Sequence, residues 1–479
     1  MIMLLTALAT MAIVTTDQTA LRAAPRDSAA QQAVLWQGDA LEVRGRRLDY
    51  LQVWDHRRER AGFVRASQVR TTELKPAEAD GLLAVMRFVR DTPGAEALGI
   101  GYAAAYLQAV PTEKLDAEPF DIIGTLADRL ARRAALKPGQ AASATVAAHL
   151  EVVNHYGVKI AGTERDGALQ PCYDGDAFRR VLALPATPEQ RARAALGLTR
   201  HDCVDSALSP VQRLPLDQWR ANVLDQVNAS AFVQLPETTK NKLRLRRAGV
   251  WASLAFQQAR REDAPAAAAA AQRAIAELAA IDKAELSDED QRDYNDAAIR
   301  VGASRWAAEP VPAATASGLA VRTEPGQPGE TCVVLVDTKT PGSSPARALA
   351  RHCTFGLVWT ASARANTQAA ALTLAVQPLD GWRELWVFRR TQGTWSVDVL
   401  PPAAQGPELG YVEFAGWGPG IDRLLVARES RIDGRFKRSF EVLKLTTLQM
   451  EKQASTPELL SAFARWQDPA WKRQTVSLR

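Results

Sequence analysis

Apolar and polar positions alternate along residues 11–72. Ile13 and Leu21 mark a first strand and its return, and Leu41-Glu42-Val43 alternates after the turn Gly38-Asp39. Tyr50, Leu51, Val53 and Trp54 make a longer strand, Phe63-Val64 the next, and Val69 the last. Polar stretches at residues 26–32, 45–48 and 57–60 separate them. Short alternating strands joined by tight turns predict a small closed β-barrel. On the strand 50–54, Val53 and Trp54 must point to opposite faces. With Val53 in the core, Trp54 lies outside, so Trp36, Tyr50 and Trp54 become candidates for a ligand groove.

After Pro76 the apolar period becomes that of a helix. It predicts helices over residues 78–89, 95–110, 120–133, 141–153, 176–184, 187–196, 216–227, 238–261, 264–281 and 288–307. Residues 156–169 read as a looser member of this helical set, interrupted by Gly157, Gly162 and Gly167. Thr187-Pro188-Glu189 and Ser287-Asp288-Glu289-Asp290 carry the punctuation of helix starts. No fixed repeat of about 34 residues runs through the set, so 76–307 is read as an irregular α-helical middle domain. Residues 308–330 are a linker by composition. From residue 331 the period is two again, with strands expected at 332–337, 354–361, 370–376, 384–390, 394–400, 411–415, 423–429 and 436–443. Gln392-Gly393 and Asp433-Gly434 are hairpin turns. A short helix at 457–465 and a last strand at 474–478 complete the chain. The expected fold class is therefore multidomain α+β: an SH3-like β-barrel at 11–72, the helical domain, and an antiparallel β domain at 331–479. That last domain reads as a sandwich or a partial propeller-like sheet, because its length falls short of the four blades a propeller needs.

Composition adds bounds rather than chemistry. The chain has 479 residues, 47% hydrophobic and 24% charged, ample material for several cores. The net charge of +5 is mild at this length, and basic residues are interleaved with acids. The densest basic run, Lys240-Asn-Lys-Leu-Arg-Leu-Arg-Arg247, reads as a solvated helix face, so no nucleic-acid partner is expected. No stretch reaches the roughly 18 apolar residues of a membrane span. The opening Met-Ile-Met-Leu-Leu-Thr-Ala-Leu-Ala ends in an A-x-A pattern at Ala7-Leu8-Ala9, with no Lys or Arg ahead of the run. Residues 1–10 are read as a truncated signal peptide, the alternative being that 1–14 is the first apolar strand. There are four cysteines, Cys172, Cys203, Cys332 and Cys353. Pairing 172 with 203 and 332 with 353 keeps each bridge local, and bridges fit an envelope or secreted location. Four buried free thiols are the alternative.

Four short segments occur in a telling order: Leu21-Arg22-Ala23-Ala24-Pro25, Gly38-Asp39, Tyr50-Leu51-Gln52-Val53 and Gly62-Phe63-Val64. Their order resembles a bacterial SH3 (SH3b) domain over residues 12–70. The resemblance implies a bacterial protein and a binding module that does no chemistry of its own. It also implies docking to cell-wall peptide or to an envelope protein partner.

SH3b domains often accompany NlpC-type cysteine peptidases, whose nucleophile sits in an Asp-Cys-Ser-Gly context. His201-Asp202-Cys203-Val204-Asp205 matches two of those letters, yet no histidine lies between Cys203 and Arg351 to serve as base. No catalytic residue is assigned. Of the five histidines (His56, His149, His155, His201 and His352), no set has metal-ligand spacing; His149 and His155 miss the i, i+4 of a helical zinc pair. Gly416-Trp417-Gly418-Pro419-Gly420 is a turn, not a phosphate cradle. No metal and no cofactor is expected. Trp382, Trp386 and Phe388 share a strand face with Glu384, either as core or as a row that stacks on sugar rings. The leading expectation is a non-enzymatic periplasmic or secreted binding and scaffold protein. A cell-wall hydrolase with an unrecognised site and a cytoplasmic helical adaptor are the alternatives.

Overall fold

The computed structural model describes residues 10–135, 142–165, 168–310, 318–338, 347–404, 408–420 and 422–473. The expected leader at 1–10, save its last residue, and the last strand at 474–478 lie outside the described residues. The fold is a mixture of helices and largely antiparallel sheets, and the chain forms two compact units. The first comprises residues 1–208 and 223–235, the second residues 209–222 and 236–479.

The first unit opens with β1 (Met11–Val14), β2 (Thr19–Arg22), β3 (Gln31–Leu35), β4 (Ala40–Arg47), β5 (Tyr50–Asp55), β6 (Arg60–Arg65) and β7 (Val69–Thr72). They form one sheet in the order β3-β2-β6-β5-β4-β1-β7. The strands fall where the alternation places them, and their inward residues Ala12, Val14, Leu21, Leu35, Leu41, Leu51, Val53 and Val64 make one core. The expected closure does not occur. The sheet is open among the described residues, with β3 and β7 as its edges. Both edge strands are largely hydrated: Gln31, Gln32, Arg70 and Thr71 are exposed, so neither has a second apolar row to bring the edges together. The join between β2 and β6 is also slight, a single pair, Arg22 opposite Phe63.

Helices α1 (Ala79–Arg90), α2 (Glu96–Ala109), α3 (Glu118–Ala134) and α4 (Ala142–His155) follow. Leu82, Met86 and Val89 of α1 pack with Ile100, Ala103 and Tyr106 of α2, Leu126 and Leu130 of α3, and Val152 of α4. Ile13 faces away from the sheet core and joins this helical one. Small residues make the approach close. A Cβ on Gly101 of α2 would lie 2.8 Å from the carbonyl oxygen of Gly38, in the turn before β4. Buried Glu96 pairs with Arg129 and Arg133 of α3. Residues 156–169 depart from the expected loose helix. Gly157, at φ +80°, ends α4, and an antiparallel hairpin of β8 (Ile160–Arg165) and β9 (Ala168–Tyr173) follows. Three glycines in fourteen positions penalise a helix, and the hairpin sets Cys172 opposite Ala161. The unit continues with α5 (Asp176–Ala183) and α6 (Pro188–Leu198), the latter opened by a capping box of Thr187 and Gln190.

Helix α7 (Pro210–Asp225) belongs to the second unit up to residue 222 and to the first from residue 223, and α8 (Ala229–Val233) lies in the first. The second unit then gathers α9 (Glu237–Ala259), α10 (Ala264–Ala279) and α11 (Asp288–Ser304) around Leu245, Ala252, Leu278, Tyr294 and Val301. Strands β10 (Leu319–Pro325), β11 (Thr331–Asp337) and β12 (Ala348–Thr354) form a three-stranded antiparallel sheet. Thus part of the stretch whose composition reads as a linker is a strand, its backbone paired residue for residue with β11. An eight-stranded sheet contains β13 (Leu357–Ala365), β14 (Ala371–Leu379), β15 (Trp382–Thr391), β16 (Thr394–Leu400), β17 (Leu409–Trp417), β18 (Arg423–Ile432), β19 (Arg435–Lys444) and β20 (Met450–Ala454). One of its pairings is parallel, β15 with β17. The hairpin β15–β16 occupies one stretch of β15, and the chain returns through Pro401-Pro402 to lay β17 beside its start. Leu319, Val333 and Leu335 of the small sheet share a core with Leu374, Trp386 and Phe388 of the large one. Short helices α12 (Ser461–Trp466) and α13 (Pro469–Arg473) end the described chain, with Phe463 and Trp471 packed on Phe440.

This unit buries charge. Arg383, fully buried on β15, donates to the carbonyl of Gly302 and to Glu413 Oε1 at 3.3 Å. Arg305 Nε reaches the same oxygen at 3.1 Å, and Trp471 Nε1 donates to Glu413 Oε2 at 3.1 Å. Burial pushes the Arg383 guanidinium down to about 10, against the opposing pull of Glu413.

Candidate functional site

The outward face of the N-terminal sheet carries a compact polar and aromatic patch. Glu42 and Trp54 are directly opposite across β4 and β5, while the next pair, Val43 and Val53, turns inward. The register slips between Val43 and Gly45, leaving Arg44 as the extra residue of a β-bulge. Its guanidinium lies 4.8 Å from the centre of the Trp54 ring, a cation–π distance. Just past the end of β5, two residues beyond Trp54, comes His56, whose ring meets Trp54 edge-on at 6.4 Å. Glu42 ties the patch together. It accepts from Arg44 Nε at 3.3 Å and lies 2.7 Å from His56 Nε2. Those two hydrogen bonds, Arg44 first, hold the Glu42 carboxyl below the usual carboxylate range. On the other side Trp54 is opposite Ala61, too small to cover it. The arrangement offers a half-exposed aromatic ring with a donor, an acceptor and a titratable ring within one side chain's reach.

The three expected groove residues do not share this patch. Trp54 lies on it, opposite buried Val53. Tyr50 is buried, and its hydroxyl donates to Asp27 Oδ1 at 2.5 Å beneath Arg65. Trp36 packs against the helical core and meets His149 edge-on at 6.5 Å. Arg44, His56 and Glu42 escaped the sequence reading. For Glu42 and His56 a signal was available, since one lies opposite Trp54 on the next strand and the other two residues beyond it, whereas Arg44, at the bulge, has none.

All four cysteines are bridged, Cys172 with Cys203 and Cys332 with Cys353. Cys203 is therefore no thiol nucleophile. Glu330, Cys332 and Cys353 gather their ligand atoms within 4.8 Å, but both sulfurs are bonded to each other. The single carboxylate that remains is far from the four ligands of a structural zinc site. The two bridges fit an oxidising, extracytoplasmic environment. Comparison with family models, with curated proteins and with solved structures finds no match to the chain. The reading of the site therefore rests on its own geometry. Among the described residues no helix is long and apolar enough to cross a membrane.

Two other sets are resolved by burial and pairing. Trp382, Trp386 and Phe388 are buried, so they offer no ring to a sugar. On α9, Lys240 and Arg244 pair with Glu237, and Lys242 lies 3.6 Å from Asp290.

Glu384, half-buried between Trp382 and Trp386, has its carboxyl raised by burial, with indole N–H donors as the opposing influence. The folded state thus holds this proton more tightly than the unfolded chain does. Stability falls as pH rises from the unfolded carboxylate range through the folded pKa, and is level above it. Glu384→Gln should melt with wild type at pH 4 and above it at pH 7, followed by thermal unfolding of both across that range. A difference that does not vary with pH would refute the assignment.

Proposed function

We propose that the protein is an exported, non-enzymatic binding protein, periplasmic or secreted, that docks to cell-wall peptide or to an envelope protein. The N-terminal sheet, read as an SH3b-like module, presents the docking face. The observation that carries this reading is Trp54, held on the outer face with Arg44, His56 and Glu42 around it. An aromatic ring rimmed by hydrogen-bonding groups suits an extended peptide, whose backbone amides need both donors and acceptors. The two disulfides support the location. The helices and the C-terminal sheets serve in this reading as scaffold and second binding surface.

Trp54→Ala in the full chain should weaken co-sedimentation with purified peptidoglycan, or retention of a captured envelope partner. Loss of an aromatic anchor costs about 2 kcal/mol or more, roughly thirtyfold in affinity. The melting temperature should stay near wild type, since Trp54 lies outside the core. Retention equal to wild type would refute Trp54 as the anchor. Release of new muropeptides during incubation would refute the non-enzymatic reading.

A further inference from the structure

Helix α1 turns Ala79, Leu82, Met86 and Val89 into the helical core and leaves its other face bare. Gly81, Ala84 and Phe88 follow one another along that bare face on successive turns, with Ala77 just ahead of the helix. All four are exposed, Phe88 by 77%. A lone exposed phenylalanine is ordinary, but this one stands in line with a hole. Glycine weakens a helix, and a Cβ on Gly81 would meet nothing within 4 Å, so the packing of this chain does not call for glycine there. Knob and hole lie about 10 Å apart along the helix axis. Asp80 and Arg87 share one flank of the same face at the same spacing. Asp80 makes no ion pair among the described residues, and Arg87, its side chain 54% exposed, pairs with Glu118 of α3. Asp91, the next charge along that flank, is held by Arg90.

Both pairs straddle Ala84. A twofold axis through Ala84 lays a second α1 antiparallel on the first. It seats each Phe88 over Gly81 of the other copy and brings each Asp80 level with the other copy's Arg87. A face that carries both knob and hole, and both acid and base, on either side of one point is self-complementary, as an isologous contact requires. An apolar patch rimmed by charges marks an interaction surface. We infer that the bare face of α1 is a self-association surface and that its occupant is a second copy of this chain. The helix has 12 residues, about 18 Å of length, so the interface is small and the dimer weak and reversible. This surface is independent of the Trp54 patch.

The test is sedimentation equilibrium of the full chain from about 5 to about 500 µM, the range a small interface calls for. A monomer that passes to a dimer as concentration rises is expected. Phe88→Ser should weaken association at least about tenfold and melt with wild type, since Phe88 packs on nothing in its own core. Asp80→Arg, which faces the other copy's Arg87 with like charge, should weaken it too. Under mild oxidation Ala84→Cys should give a disulfide-linked dimer. Ala77→Cys should not, because the two copies of residue 77 lie about 20 Å apart in this arrangement, beyond the reach of a disulfide. A chain that stays monomeric throughout overturns the inference. A dimer unmoved by Phe88→Ser, or cross-linking at 77 as readily as at 84, also overturns it, by placing the contact on another face or in another orientation.

Discussion

Glu413→Ala should destabilise the second unit by about 3–5 kcal/mol, the usual effect of removing one partner from a buried charge cluster. Glu413 is the shared acceptor of Arg305, Arg383 and Trp471. Removing it leaves two buried guanidinium groups with like charge and an indole N–H without its oxygen. Arg383 is affected most, because it is fully buried and keeps only neutral partners, among them the carbonyls of Gly302 and Ala303 and the face of the Tyr411 ring. Glu413→Gln keeps the shape and one acceptor oxygen, so its loss should be smaller though still clear. Arg383→Met removes a charge rather than stranding one, and Glu413 then keeps Arg305 and Trp471. Urea unfolding of the three variants gives the ranking, with alanine the least stable. Glu413→Ala within about 1 kcal/mol of wild type would mean that water replaces the carboxylate at little cost.

The second large effect concerns the bridge in the first unit. Cys172 and Cys203 are 31 residues apart in sequence, and closing such a loop restricts the unfolded chain by about 3–4 kcal/mol in the entropy model. The double variant Cys172→Ser/Cys203→Ser, which leaves no stray thiol, should lose that much in chemical denaturation. Retention through Trp54 should be unchanged, since neither cysteine lies on the β4–β5 face. The bridge between Cys332 and Cys353 spans 21 residues, and its double variant should lose slightly less, about 3 kcal/mol. A loss below about 1 kcal/mol for the first bridge would show that the reduced chain keeps the hairpin β8–β9 beside the segment that follows α6 without covalent help.

Much of the architecture was readable because it is local. Strand alternation put Val53 inward and Trp54 outward, capping residues marked α6 and α11, and the proximity of cysteines gave both pairings. What remained hidden is long-range or masked by composition. Nothing in the sequence announces that Arg213 will meet Asp380 or that Arg305 will meet Glu413, because such pairs form only when distant elements pack. Residues 319–325 look like linker because prolines and glycines flank them, although Leu319 and Val321 alternate as on a strand. The hairpin β8–β9 was missed because its glycines read as breaks in a helix rather than as marks of a different period. Closure of the N-terminal sheet was over-read, since alternation gives each strand a face but does not say whether the last edge meets the first. At the Trp54 patch, the ring was found and its partners were not, because Arg44 lies at a bulge that only the paired strands define.

The division of α7 has a consequence for how the protein is made. The first unit needs residues 223–235, so it cannot be complete until they have left the ribosome. By then residues 209–222 have also emerged, although their own unit is still being translated. At about 5–20 residues per second, that segment waits on the order of tens of seconds for its partners. It carries Leu214 and Leu216, which are partly covered in the folded chain. The nascent chain must therefore keep this stretch from aggregating during the interval, and a holdase chaperone should be most needed in that window.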